Sequence, residues 1–364
     1  MLTGLELQGY RGFRDYRLNG FTGVNLLVGA NNGGKTSILE AIQLLVSRGD
    51  PRVLVRSANR RGEVNFRDPD ERPGRFPDIT HFFFGHRLEP NARFRLDDDG
   101  GFGPLSASLV DPDPQASFFP DSLADDDGTP TLALALQIDS KESKLRRANV
   151  LSDGSLVLSG PPRRFQPGQE STLPPVELIT IDTPSVTPLT KSWDQVLRAS
   201  RESEVVSALQ ILEPDLKSIL FLPGGSRHFG SPASGVLLDF ENGAQRVPLG
   251  SYGDGMRRLL EISVALVHTS GGFLLVDELD TGLHWTAMEP AWRMIVEAAK
   301  RSSIQVFATT HSKDCLVGLD SMIRTCPHLA AEVSVHKVEP TLAEAVRLDA
   351  SSIRTAIDEG LEMR

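Results

Sequence analysis

The spacing of apolar and polar residues predicts a β-rich start to the chain. Apolar and polar residues alternate from Leu2 to Gln8, as they do in a half-buried strand, and Tyr16–Leu18 is a candidate partner strand. The short apolar run Val24–Val28 is bounded by glycines, which is typical of another strand. From Thr36 onward the apolar residues recur at helical spacing, at Ile38, Leu39, Ile42 and Leu45. The pattern therefore predicts a strand, a loop and a helix over residues 24–45.

The segment from Ile79 to Leu158 is predicted to be a β-meander with long loops. Its short apolar runs are separated by turn-rich strings such as Asp97–Gly101 and Asp125–Gly128. Adjacent aspartates without a fixed partner are typical of solvated loops, so we do not interpret these strings as metal sites. A proline-rich connector, Pro161–Pro175, is predicted to separate this arm from the rest of the chain.

The second half of the chain is predicted to contain helices and buried strands. Trp193–Leu222 reads as helical because its apolar residues form a stripe. Phe273–Val276 and Ile304–Ala308 are short apolar runs, typical of buried parallel strands. The sequence has no internal repeat and no sustained heptad pattern, so we expect no long coiled coil.

An arginine-rich segment follows the first predicted helix. Four arginines are spaced by four residues, which on a helix would place them on one face, namely Arg48, Arg52, Arg56 and Arg60. Pro51 and the β-branched Val53 and Val55 argue against a continuous helix here. Acidic residues between Glu63 and Glu71 could neutralise the segment. A solvated or ion-paired face is favoured over a nucleic-acid contact, which remains the alternative.

Composition limits the class of protein. A chain of 364 residues, of which 40% are hydrophobic, can form one large α/β domain with insertions or two ordinary domains. The net charge of −10 argues against coating of nucleic acid by the whole surface, so any DNA contact would be local. Cys315 and Cys326 form neither a disulfide framework nor a metal-ligand spacing, which suits a reducing compartment. The sequence shows no leader and no apolar run of about 20 residues, so we expect a cytoplasmic protein without membrane contact.

The glycine-rich loop between the predicted strand and helix is a candidate phosphate site. Residues 29–36, GANNGGKT, fit the pattern GxxxxGK[ST], in which backbone N–H groups and a helix N-terminus face an anion. Lys35 would reach the β- and γ-phosphates, and the Thr36 hydroxyl would bind Mg²⁺. A short pattern of this kind can match by accident, so further evidence must come from elsewhere in the chain.

Polar residues follow both of the later predicted strands. Asp277 and Glu278 come directly after Phe273–Val276, at the strand end where ligands of open α/β sheets bind. There Asp277 would hold Mg²⁺ and Glu278 would polarise the attacking water, whereas the alternative is a helix N-cap. His311, after Ile304–Ala308, could donate to the γ-phosphate, and its alternative is also a helix-capping role.

A second glycine-containing stretch precedes another predicted helix. The sequence from Leu249 to Leu260, LGSYGDGMRRLL, again gives a helix N-terminus suited to a phosphate. Two such helix ends, more than two hundred residues apart, suggest that one of them serves a nucleotide held by a second copy of the chain. This predicts a dimer with two ATP molecules at its interface.

The ordered motifs GANNGGKT, SYGDG, LLVDE, DTGLH and TTHS resemble those of the ATP-binding cassette (ABC) ATPases. Within them, the chain resembles the RecF-like, SMC-like and OLD-type heads usually labelled AAA family ATPases. The opening LELQGYRGFRDY is similar to that branch's first strand, and LGSYGDGMRRLLEI to a degenerate signature motif. The resemblance implies an α/β fold, an ABC ATPase head with a mixed or parallel P-loop sheet, an N-terminal β-rich lobe and a helical signature subdomain.

The resemblance also implies a division of one composite ATPase domain into four segments. Residues 1–50 would hold the first strands and the Walker A loop, and residues 51–175 a β-rich arm. Residues 176–260 would form the helical subdomain with the signature motif. Residues 261–364 would carry Walker B, the D-loop, the switch histidine and the C-terminal segment.

Residue roles follow from the same resemblance, with ATP and Mg²⁺ as the expected ligands. The phosphates and the metal would contact Gly29, Asn31, Gly33, Gly34, Lys35, Thr36 and Ser37. Asp277 would be the Walker B acid, Glu278 the catalytic glutamate and His311 the switch histidine. The partner's γ-phosphate would contact Ser251, Gly253 and Gly255, while Asp280 and His284 would lie at the dimer seam. No glutamine is identified as a Q-loop residue.

The expected function is an ATP-gated switch that works as a homodimer or a higher homo-oligomer. About fifty residues follow His311 without the acidic pair of a Toprim nuclease, so we expect a separately encoded effector protein, with a nuclease as one candidate. DNA is a second candidate ligand, and anti-phage defence or DNA repair is the expected setting. Two alternatives remain open, namely a monomeric P-loop kinase acting on a small molecule and a nucleotide-dependent scaffold that does not hydrolyse ATP.

Overall fold

The computed structural model describes residues 1–66, 75–89, 92–99, 101–111, 132–138, 145–157, 173–181, 186–222, 235–241, 243 and 245–358. The chain divides into two compact units, each discontinuous in sequence. The first unit comprises Met1–Gly20, Thr36–Pro174 and Glu339–Ala345. The second comprises Phe21–Lys35, Pro175–Val338 and Val346–Arg364.

Within the described residues the chain forms eighteen strands and eight α-helices. The strands are β1 (Gly4–Tyr10), β2 (Phe13–Asn19), β3 (Val24–Val28), β4 (Val64–Phe66), β5 (Arg75–Pro77), β6 (Arg93–Asp97), β7 (Leu105–Val110), β8 (Leu132–Ile138), β9 (Leu145–Val150), β10 (Leu156–Val157), β11 (Val176–Ile179), β12 (Leu216–Phe221), β13 (Val236–Phe240), β14 (Val247–Pro248), β15 (Phe273–Val276), β16 (Gln305–Thr309), β17 (Val333–Lys337) and β18 (Val346–Leu348). The helices are α1 (Lys35–Val46), α2 (Pro51–Arg61), α3 (Val186–Arg198), α4 (Glu202–Leu209), α5 (Gly253–His268), α6 (Trp285–Arg301), α7 (Lys313–Thr325) and α8 (Ala350–Asp358).

The first unit is built on an antiparallel sheet with the order β10-β9-β8-β7-β6-β1-β2. Burial alternates along its strands, as in β7, where Leu105, Ala107 and Leu109 are buried and the residues between them are partly exposed. One face of the sheet therefore carries the core of this unit. The predicted β-rich opening and the meander after Ile79 are confirmed. Near the start of this segment, Thr80–Phe82 form a 3₁₀ turn.

The second unit is built on a mixed sheet with the order β11-β15-β16-β3-β17-β18. All neighbouring pairs are parallel except β17 and β18. Every residue of β3, β15 and β16 is buried, because helices cover a parallel sheet on both faces. Trp292 of α6 is fully buried in the core beside this sheet, and its indole Nε1 donates to the carbonyl oxygen of Cys315, 2.9 Å away. The predicted α/β P-loop sheet is confirmed.

A smaller core in the second unit packs α3 and α4 and the sheet β12-β13-β14 against α5. This corrects the prediction that Trp193–Leu222 is helical throughout, since residues 216–221 form β12. Pro214 lies just before that strand, where it cannot continue a helix. The pairing of β12 with β13 joins residues about twenty positions apart, so helical spacing in the sequence could not reveal it.

The arginine-rich segment is a continuous helix, which corrects a second prediction. Pro51 occupies the first helical position of α2, where its missing N–H is not needed. The Asp50 side chain caps the helix by accepting from the backbone N–H of Arg52 at 3.0 Å. Gly62 ends it with a φ of 70°, a conformation that favours glycine. Arg48 precedes the helix, so it does not share a helical face with the later arginines.

Some predicted features lie outside the described residues, namely the turn at 125–128, residues 161–172 of the connector and the acidic residues 68–71. None of the helices in the described part of the chain combines the length and the apolar character that crossing a membrane requires.

Candidate nucleotide site

The loop after β3 is folded so tightly that it depends on glycine. A Cβ on Gly29 would lie 2.5 Å from the carbonyl oxygen of Val338, and one on Gly33 would lie 2.9 Å from that of Ala30. Gly34 has a φ of 84° and Asn32 a φ of 61°, both in the left-handed region. Successive turns of this kind direct backbone N–H groups into a concave surface that suits an anion.

Lys35 lies within this loop at the start of α1. Its Nζ donates to the carbonyl oxygens of Gly29, at 2.8 Å, and Ala30, at 2.9 Å. Burial lowers the pKa of the Lys35 ammonium, and the negative charges of Asp277 and Glu278 oppose that shift. Thr36 and Ser37 follow in the first turn of α1. The predicted residues 29–37 thus form a continuous loop and helix end.

The end of β15 carries the two predicted carboxylates. The hydroxyl of Thr309, at the end of the neighbouring strand β16, donates to Asp277 Oδ1 at 2.7 Å. The same hydroxyl oxygen accepts from the backbone N–H of Glu278 at 2.8 Å. Glu278 has a φ of 49°, which is uncommon for a residue with a side chain. Thr309 therefore fixes the position of Asp277 and of the Glu278 backbone.

The polar residues after β16 reach the loop after β15. The Nδ1 atom of His311 lies 3.5 Å from Glu278 Oε1, an ion-pair distance when the imidazole is protonated. The hydroxyl of Thr310 donates to Asp280 Oδ1 at 2.6 Å and accepts from the backbone N–H of Ser312 at 2.9 Å. The structure therefore brings the predicted His311, Glu278 and Asp280 together.

Three residues at this site were not assigned a role from the sequence, namely Thr309, Thr310 and Arg258. Arg258 of α5 is 5% exposed, and its Nη2 donates to the backbone carbonyl oxygens of Asp277 and Glu278. Burial lowers the pKa of this guanidinium, although the surrounding carboxylates oppose the shift. The sequence does place Arg258 among the apolar residues of a predicted helix, which is unusual for an arginine. Its hydrogen-bond partners are distant in sequence, so the spacing of residues could not identify them.

The predicted signature residues lie where α5 begins, with Ser251 in the preceding 3₁₀ turn, Leu249–Tyr252, and Gly253 and Gly255 in the first turn of the helix. Ser251 and Gly253 are exposed, and Gly253 has a φ of 76°. Gly255 is buried against the loop after β15, since a Cβ on Gly255 would lie 2.5 Å from the carbonyl oxygen of Gly282. His284 is exposed just beyond that loop, where α6 begins. The predicted signature motif and the predicted D-loop therefore pack directly against each other within one chain.

The side chains suit Mg²⁺ by their chemistry. The carboxylate of Asp277 is a hard oxygen ligand of the kind that Mg²⁺ takes together with substrate phosphates and water. Among the described residues, no group of three or more His, Cys, Asp or Glu side chains is placed to hold a metal ion by itself.

Comparisons with known proteins agree with this geometry. Residues 1–72 match a family described as "AAA ATPase domain", and residues 166–317 match one described as "AAA domain, putative AbiEii toxin, Type IV TA system". A protein of Helicobacter pylori named "ATP/GTP phosphatase" is 22% identical over 341 residues, which cover 89% of each chain.

Solved structures similar to this chain include heads of SMC proteins. One is an SMC head bound to the C-winged helix domain of ScpA, with 14% identity and a TM-score of 0.48 over 96% of this chain and 98% of that chain. Another, from Pyrococcus furiosus, is an SMC head with an extended coiled coil bound to the C-terminal domain of ScpA, with 11% identity and a TM-score of 0.46 over 98% of both chains.

The assignment rests on the ordered motifs, the mixed P-loop sheet and the two family matches. The match over residues 1–72 contains the glycine-rich loop 29–36, and the match over residues 166–317 contains the other predicted motifs, at residues 249–260, 273–278 and 309–312. Two parts of the chain, residues 1–72 and 166–317, are similar to AAA ATPase domains, and the ordered motifs resemble those of an ABC-type ATPase head.

Proposed function

We propose that this chain binds ATP with Mg²⁺ and hydrolyses it to ADP and phosphate. The supporting observation is the arrangement at the carboxyl ends of three neighbouring parallel strands, β3, β16 and β15. The first leads into the loop of Lys35, the second into Thr309 and His311, and the third into Asp277 and Glu278. Ligands of open α/β sheets bind at such an edge.

Each side chain has a role that its chemistry permits. The loop N–H groups and the ammonium of Lys35 bind phosphate oxygens, which are anionic. Asp277 and Thr36 would hold Mg²⁺, which neutralises charge on the phosphates when bound. Glu278 accepts a hydrogen bond from the attacking water and polarises it by acting as a general base. His311, beside Glu278, donates to the γ-phosphate.

Phosphate release from three variants tests this proposal. Glu278→Gln should retain nucleotide binding and lose about 100-fold or more in kcat, because the amide cannot act as a base. Lys35→Ala should lose nucleotide binding itself. Glu297→Gln, which changes an exposed carboxylate on α6, is the matched control and should behave as wild type. Both ATP and GTP should be tried, since the Helicobacter pylori relative is named for both.

Two outcomes would contradict the proposal. One is a wild-type protein that binds nucleotide but releases no phosphate, as a scaffold would. The other is a Glu278→Gln variant that releases phosphate at the wild-type rate.

We further propose that two copies close around two ATP molecules. The exposure of Ser251 and Gly253 at the start of α5 supports this, because it leaves them accessible to a nucleotide held by another copy. Trp285, next to His284, is 63% exposed, and tryptophan is a frequent anchor of protein interfaces. Loss of the γ-phosphate would remove contacts from both copies, so hydrolysis would loosen the dimer.

The closing and opening of this dimer, or of a larger homo-oligomer, would gate a second component. We favour a separately encoded effector protein, such as a nuclease, and DNA is the other candidate. The net charge of −10 supports a protein partner over broad contact with DNA. Anti-phage defence or DNA repair is the setting that we propose for this switch.

A further inference from the structure

A buried carboxylate in the first unit is surrounded by three arginines. Glu40 of α1 is 1% exposed, and its oxygens lie 3.0 Å from Arg11 Nε, 2.6 Å from Arg60 Nη2 and 2.9 Å from Arg61 Nε. Burial alone would raise the pKa of Glu40, but the charges of Arg11 and Arg61 outweigh it and hold the pKa below its usual value. Glu40 is therefore ionised and binds α2 to α1.

The three arginines differ in their other contacts. Arg11 has structural partners, since its guanidinium donates to Glu63 Oε1 at 2.8 Å and lies 4.2 Å from the centre of the Phe82 ring. Arg60, which is part of α2, donates a hydrogen bond from its Nη2 atom to Glu40 Oε1. Arg61 uses its Nε atom for Glu40, and its Nη2 atom donates to the hydroxyl oxygen of Ser37 at 3.2 Å. Arg61 thus links Glu40 to Ser37, one helical turn earlier on α1.

The direction of this hydrogen bond determines what the Ser37 hydroxyl can do. A serine hydroxyl has one donor hydrogen and two acceptor lone pairs, and arginine can only donate. With Arg61 donating, the Ser37 oxygen is an acceptor and its hydrogen is directed elsewhere. Ser37 is 8% exposed and lies in the first turn of α1, two residues after Lys35.

We propose that Arg61 is a positioning residue for nucleotide binding that acts through Ser37. Its guanidinium, fixed by Glu40, holds the Ser37 oxygen as an acceptor, so that the Ser37 hydroxyl donates to a phosphate oxygen of the nucleotide. The inference rests on the proposed ATP binding. Arg61, at the end of the arginine-rich segment, would thus act in nucleotide binding and not in contact with nucleic acid.

Arg61→Ala and Arg60→Ala form a matched pair. Each removes one arginine from Glu40, but only Arg61→Ala removes the contact with Ser37. Arg61→Ala should weaken ATP binding about three- to tenfold, the usual effect of losing one such hydrogen bond. Arg60→Ala should bind ATP as wild type does. Titration with a fluorescent ATP analogue measures both dissociation constants.

A double-mutant cycle separates positioning from a general loss of structure. Ser37→Ala should weaken binding to a similar extent, and the double variant with Arg61→Ala should be no weaker than either single variant. Arg61→Lys is a second test in case Arg61→Ala fails to fold. Lysine can keep the charge near Glu40 but lacks the fork that also reaches Ser37, so it should weaken binding while thermal stability stays near wild type.

The outcomes are distinguishable from a failure of the proposed function. Suppose that the wild type binds ATP and that Arg61→Lys and Arg60→Ala both bind it as tightly as the wild type does. The proposed role of Arg61 is then refuted, while the proposed ATP binding stands. Additive effects of Arg61→Ala and Ser37→Ala on ATP binding would have the same meaning. The same holds if Arg61→Lys loses affinity for a DNA duplex while its affinity for ATP is unchanged. If the wild type does not bind ATP at all, both proposals fail.

Discussion

The imidazole of His336 lies in the interior of the second unit, on β17. Its Nε2 atom is 2.8 Å from the hydroxyl oxygen of Ser334, and its ring packs edge-on against Phe21 with centroids 5.1 Å apart. Burial lowers the pKa of His336 to about 4, and the positive charge of Arg347 adds to this effect. His336 is therefore neutral in the folded protein near neutral pH.

This histidine should make the protein sensitive to acid. In the unfolded chain its pKa is near 6.5, so between pH 6.5 and 4 the unfolded state binds a proton that the folded state does not. Stability should therefore fall as the pH falls through this range, by about 2 kcal/mol at pH 5 from this group alone. Urea unfolding at pH 7 and pH 5 should show a smaller loss in His336→Gln than in the wild type. An equal loss of stability in the two proteins would contradict the conclusion that His336 causes this sensitivity to acid.

At the residue scale, the sequence was sufficient for side chains that belong to short linear motifs. Asp277 and Glu278 follow directly after an apolar run, and Lys35 and His311 follow within a few residues of two others. In the structure the strands of those runs are neighbours. Their catalytic roles stay predictions. The bonds from Thr309 to Asp277 and from Arg61 to Ser37 could not be predicted, because they depend on which elements become neighbours and not on local spacing.

At the element scale, buried strands were predictable because continuous apolar runs are what a covered parallel sheet requires. Helix α2 differs from the prediction because proline breaks a helix only in its interior, and Pro51 occupies the first helical position, which proline suits. Strand β12 was missed because its partner β13 is distant in sequence. The predicted division into four segments stays a prediction.

The packing of α5 on the loop after β15 gives a prediction at this scale. In Gly255→Ala the new methyl group would lie 2.5 Å from a backbone oxygen of Gly282, so one of the two segments must move. Because the loop begins at Glu278, we expect kcat for ATP hydrolysis to fall about tenfold or more, while ATP binding through the Lys35 loop persists. Gly250→Ala is the control, since a Cβ there meets nothing within 4 Å. Equal rates for the two variants would show that this contact does not matter to hydrolysis.

At the scale of the whole molecule, the proposed dimer requires each chain to contribute to two nucleotide sites. It would supply one half of its own site and one half of its partner's site. The Lys35 loop and the Asp277–Glu278 pair would bind the chain's own nucleotide. The exposed start of α5 at Ser251 would bind the nucleotide of a partner. An enzyme that completes its site alone, such as a monomeric kinase, would have no need of that second surface.

The most direct test is the molecular mass of Glu278→Gln in solution, measured by light scattering with and without ATP and Mg²⁺. We expect the mass of Glu278→Gln to at least double with ATP and to return to its starting value with ADP. The same increase should be lost when Ser251→Arg, a change at an exposed position, is added to Glu278→Gln. A mass that does not change, in a Glu278→Gln protein shown to bind ATP, would contradict the claim that two copies share each site.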